Sequence, residues 1–110
     1  MELSFEQKSL RDLCEDPPKA ERELGEATAT TLHARLSDLR AIERISQIPV
    51  GNPQAYGDPS GARMSIDLGN NYKLVFCANH NKLPIAASGV VDWSRVTRIR
   101  ILGVEKHALH

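Results

Sequence analysis

Between Ile48 and Gly61 the chain carries Pro49, Gly51, Pro53, Gly57, Pro59 and Gly61, so closely spaced that neither a helix nor a paired strand can run through. Each proline removes a backbone donor and fixes φ, and each glycine adds conformations that regular elements do not use. The stretch separates two patterns, helical spacing before it and strict alternation after it. The segment beyond it is too short to fold alone, and 110 residues leave no room for two cores. A single domain over 1–110 is therefore expected, with helices first and strands last.

Before the loop, Leu3 and Phe5 alternate with polar residues, which predicts a short strand over 2–5. Leu10, Leu13 and Cys14 fall at helical spacing and predict a helix over 6–15. Asp16 suits an N-cap and Pro17 the first helical position, so a second helix should start there. Its stripe of Ala20, Leu24, Thr28, Thr31, Leu32, Leu36 and Leu39 predicts a length of about 17–44, with Gly25 as a weak spot.

After the loop, 63–68 alternates, Asn70-Asn71 makes a tight turn, and 72–78 is the hairpin partner. A last strand runs from Val96 to about Val104. The order β-α-α-β-β-β predicts an α+β fold, a small antiparallel sheet with a helical hairpin on one face. Parity sends Met64, Ile66, Leu68, Tyr72, Leu74, Phe76, Ile99 and Ile101 toward the helices. The opposite face then carries Arg63, Lys73, Arg98 and Arg100 with Asp67 as its one acid, either an anion-binding face or a merely solvated one.

Charge points the same way. The formal net charge is zero, yet residues 1–60 hold 7 Lys+Arg against 11 Asp+Glu, a balance of −4, and residues 61–110 hold 7 against 3, a balance of +4. Such asymmetry fits a local anion-binding surface, or two halves that neutralise each other. Apolar runs are too short for a membrane span or a leader, and the first residues lack a basic region, so a cytoplasmic protein without a membrane partner is expected. Cys14 and Cys77 are then reduced thiols, and no nucleotide-binding glycine motif is present.

The run Gly57-Asp58-Pro59-Ser60-Gly61-Ala62-Arg63-Met64-Ser65-Ile66, then Asn71-Tyr72-Lys73-Leu74-Val75-Phe76, Asp92-Trp93, and Ile99 to His107 resembles the HigB-type toxins of the RelE/ParE superfamily. The opening, Phe5 and then Lys8 to Cys14, is similar as well. The resemblance implies the toxin of a type II toxin–antitoxin module, a ribosome-dependent mRNA endonuclease that needs no metal or other cofactor. It implies a cognate antitoxin, often a helix-turn-helix protein, with operator DNA bound only through the complex. The alternatives are a ParE-like toxin that inhibits DNA gyrase by protein binding, or a degenerate toxin that only binds its antitoxin. Lys73 matches the family's basic residue after the aromatic; Glu105-Lys106-His107 stands where the family often has Asp-Tyr-His. Where some members carry a loop His, this chain offers Asn52 and Tyr56.

Metal-free RNA cleavage needs a base for the 2′-OH, a cation on the phosphate and a donor for the leaving oxygen. The candidate catalytic residues are His107, Glu105, Lys73 and Arg63, with Arg98, Arg100 and Lys106 as phosphate-binding candidates. His107 titrates near neutral pH when unperturbed, and Glu105 could orient it. Parity by twos from Ile101 would turn Glu105 and His107 toward the helices. A β-bulge at Gly103 is therefore expected, which reverses parity and returns both to the face of Lys73.

Overall fold

The computed structural model describes residues 1–48, 51–57 and 59–106. In chain order it contains β1 (Glu2–Phe5), α1 (Lys8–Glu15), α2 (Pro17–Leu24), α3 (Glu26–Ala41), β2 (Gln54–Ala55), β3 (Arg63–Gly69), β4 (Tyr72–Ala78) and β5 (Arg98–Lys106). Single 3-10 turns lie at Ile45–Gln47 and Trp93–Arg95. The strands form one sheet in the order β1-β5-β4-β3-β2. Among the described residues no helix is long and apolar enough to cross a membrane.

The α+β architecture agrees with the sequence pattern, with three departures. The expected helix over 17–44 is two helices. Asp16 caps α2 as anticipated, accepting the Lys19 amide, but Gly25 adopts φ +86° and ends it. A residue in that left-handed region cannot continue a right-handed helix, so α3 starts on a new axis. The sheet is also not purely antiparallel, because β1 pairs parallel with β5, Leu3 opposite Ile99 and Phe5 opposite Ile101. Finally, the glycine- and proline-rich loop contributes β2, whose two residues pair with Ser65 and Met64.

One face of the sheet meets the helices. Ile66, Leu68, Leu74, Phe76, Ile99 and Ile101 are buried with Leu32, Leu36 and Leu39 of α3. Burying each such side chain contributes roughly 1.5–3 kcal/mol, so this layer dominates the gain. Trp93 closes one end: its indole donates to the Gly61 carbonyl at 2.7 Å and meets Phe76 edge-on at 5.9 Å. It pins the long loop to the core.

The hairpin turn and one bulge set which side chains reach the other face. Asn70 and Asn71 both have positive φ, the conformation of a two-residue type I′ turn that Asn tolerates. In β5 the register slips: Val75 opposes Gly103 while Phe76 opposes Ile101, leaving Leu102 as the extra residue. The expected bulge is there. Its reason differs, because Gly103 is not among the residues with positive φ. Beyond it Val104 opposes Leu74, and Glu105 opposes Lys73.

Candidate functional site

Cross-strand register arranges the open face as three rows on β3, β4 and β5. The first is Arg63, Cys77, Arg100; the second Ser65, Val75, Gly103; the third Asp67, Lys73, Glu105. Rows along a strand repeat every two residues, roughly 6–7 Å apart. Cations from three strands thus share a surface, and the bulge puts the Glu105 carboxylate beside Lys73 rather than in the core.

The face is less basic than the alternation alone implies. Lys73 lies 3.6 Å from Asp67, and Arg100 lies 3.8 Å from Glu6, which stands just after β1 and comes into reach because β1 lies beside β5. Arg100 also donates to the Asn79 side-chain carbonyl at 3.3 Å. Such part-exposed pairs are worth about 0–1 kcal/mol, so an arriving phosphate can displace either carboxylate. Arg63 has no carboxylate within ion-pair distance among the described residues.

Tyr56 is the residue that spacing did not single out as functional. It stands directly after β2, its amide bonded to the Arg63 carbonyl at 3.2 Å, and its phenol donates to the Glu105 carboxylate on β5. Given the strand order, that reach crosses above β3 and β4. Beneath it Ser65 and Val75 are only 2% and 4% exposed, so this part of the face is roofed rather than open. The hydrogen bond to Glu105 raises the Tyr56 pKa above its ordinary value, with Arg63 pulling weakly the other way. The phenol therefore stays protonated and a donor at neutral pH. A signal was present in the sequence: Tyr56 stands in the loop where a catalytic His was sought.

Around this bridge is a cleft of about 290 Å³ lined by Glu6, Arg63, Val75, Leu102, Gly103 and Glu105. Gly103 leaves its floor bare, with nothing within 4 Å of where a Cβ would stand. The arrangement offers a carboxylate with a phenol bound to it, the Arg63 guanidinium beside them, and a lysine on the next strand. Chemically that set can accept a proton, return one and neutralise an oxyanion.

The other sequence candidates fare differently. Lys106 opposes Tyr72 and lies 5.5 Å above its ring, on the side where Tyr72 packs against the core. It is thus turned away from Arg63 and Lys73, because the bulge that brings Glu105 to the open face sends its neighbour to the other. Arg98 stays at the far end of β5 and lines a different cleft, with Arg44 and Arg95. His107 lies outside the described residues.

No family model matches the chain, and no curated protein matches it. Solved structures do. The fold is similar to the YoeB dimer from Staphylococcus aureus, 12% identical, covering 98% of each chain with a TM-score of 0.57. It is equally similar to a YoeB/ParE toxin from Agrobacterium tumefaciens, 10% identical over 98% of this chain and 100% of that one, TM-score 0.57. At these identities the shared property is the fold.

Proposed function

We propose that this chain is the toxin of a type II toxin–antitoxin module, and that it acts as a metal-independent endoribonuclease on mRNA in the ribosome. The fold similarity to two toxins supports the first part. The observation that carries the second is the Tyr56–Glu105 bridge beside Arg63 and Lys73 on one sheet face. In this reading Glu105 takes the proton from a ribose 2′-OH, whose oxygen attacks the adjacent phosphorus. The 5′-oxygen leaves with a proton, giving a 2′,3′-cyclic phosphate and a 5′-OH end. Arg63 and Lys73 stabilise the charge that builds on the phosphate, and His107 is the candidate acid for the leaving oxygen. Arg100 binds a neighbouring phosphate, releasing Glu6.

The partner that fits is an antitoxin whose acidic or amphipathic segment covers this face and orders on binding. Operator DNA would then be met only through that complex, in the cytoplasm and without a membrane. HigB-type membership is part of the same proposal, resting on the sequence motifs. Induced expression should stop growth and produce new mRNA 5′ ends in translated messages, and Glu105→Gln with Arg63→Gln should do neither. Growth arrest with no new ends would sink the ribonuclease.

A second reading has an observation of its own. Lys73 and Arg100 already stand in ion pairs, as suits a mixed-charge face that docks a protein such as DNA gyrase. A DNA-damage response on induction, with intact mRNA, selects that reading.

A further inference from the structure

We propose that a second cleft, at the start of β5, binds a phosphate of single-stranded RNA several nucleotides away from the one that reacts. This rests on the ribonuclease reading above. The cleft encloses about 810 Å³, and Arg44, Arg95 and Arg98 line it. They come from three separate segments: the approach to the first 3-10 turn, the second 3-10 turn, and the first residue of β5.

Two of the three are held in place by carbonyls. Arg44 Nε donates to the Ser94 carbonyl at 2.9 Å, and Arg95 Nη2 to the Ile85 carbonyl at 2.8 Å while its Nε pairs with Asp92 at 3.0 Å. Among the described residues neither Arg44 nor Arg98 has a carboxylate within 4.0 Å, although Glu2 and Glu43 also line the cleft. A guanidinium has five N–H donors in a fixed fork, so one anchored through a single nitrogen keeps most of them for an oxyanion. On the catalytic face, by contrast, Lys73 and Arg100 already face carboxylates.

Position names the ligand. Arg98 and Arg100, two residues apart in the strand, lie on the same side of β5, and from Arg98 to Glu105 the strand covers roughly 20 Å. A single strand lying along β5 would thus place one phosphate at the reacting site and another, several nucleotides away, between Arg98 and Arg44. Guanidinium forks match phosphate geometry, and Arg100 follows Arg98 by two residues along β5 toward the proposed active face.

Binding of a fully 2′-O-methylated, uncleavable RNA of about twenty nucleotides, measured by fluorescence anisotropy from about 50 to 200 mM salt, tests this. Arg44→Gln/Arg98→Gln should bind about tenfold more weakly than wild type near 100 mM. The slope of log affinity against log salt should shrink by about 0.7, since the cleft holds one phosphate and each phosphate contact to a single strand contributes about that much. Lys19→Gln/Arg22→Gln, which removes two cations from α2 outside the cleft, should leave the slope nearly unchanged. An equal loss in both double variants would mean net charge alone, and would overturn the cleft. So would an unchanged slope or no binding by wild type. New mRNA ends from wild type together with an unchanged slope would remove the cleft and leave the ribonuclease standing. A lost slope without any cleavage would do the reverse.

Discussion

The Tyr56–Glu105 hydrogen bond is where a single atom decides most. Phenylalanine at 56 keeps the ring over Ser65 and Val75 and loses only the hydroxyl. A hydrogen bond to a charged group is worth about 1.5–3 kcal/mol, so Tyr56→Phe should cut RNA cleavage roughly tenfold to a hundredfold. The variant should still fold, as judged by circular dichroism; an unchanged cleavage rate would show that Glu105 is oriented by something else. Cys14 decides a different property. Burial pushes its thiol up from 9.0 to about 11, opposed by Arg40 and aided by Glu15. The folded state therefore keeps a proton that the unfolded chain releases above pH 9. This stability is full below pH 9 and lost as pH climbs through 11, about 3 kcal/mol at most. Denaturant midpoints near pH 8 and pH 11 should separate for wild type and lie closer together for Cys14→Ala, with Cys77 and Tyr56, both also raised in the fold, keeping part of the gap.

At the level of elements, a glycine at the break and a glycine in the bulge behave oppositely. Gly25 has φ +86° with nothing within 4 Å of a would-be Cβ, so Gly25→Ala meets only backbone strain. It should cost about 1 kcal/mol or more in chemical denaturation. Gly103 has neither positive φ nor a neighbour in the way. Gly103→Leu should fold with near-normal stability, yet fill the cleft floor beside Val75 and abolish cleavage. A folded, fully active Gly103→Leu would exclude this cleft as the reaction site. The same elements explain what sequence could disclose. Alternation exposed the core residues from Met64 to Ile101, and the parity conflict at Glu105 pointed to the bulge. Gly25 showed as a weak spot but not as a break, because the apolar stripe passes through it without losing phase. The parallel partner of β1, and with it Glu6 beside Arg100, comes from a contact across nearly the whole chain that no local pattern encodes. Tyr56 stayed out of the candidate set because its partner is three strands away.

For the molecule as a whole, the sheet order matters more than any one strand. β5 lies between β1 and β4, so it alone joins the first strand to the β3–β4 hairpin within the sheet. These are long-range pairings, which form late because loop closure precedes any gain from them. On a ribosome, moreover, β5 is the last of the described strands to be synthesised. Until residues 98–106 have emerged, β1 has no neighbour, the hairpin lacks a third strand, and the row of Asp67 and Lys73 has no Glu105. A half-made chain therefore carries no assembled site, and under the ribonuclease reading the ribosome making it is out of reach of its own product for as long as synthesis lasts. A chain stopped before Arg98 should accordingly be unfolded by circular dichroism and harmless on induction, however strongly it is expressed.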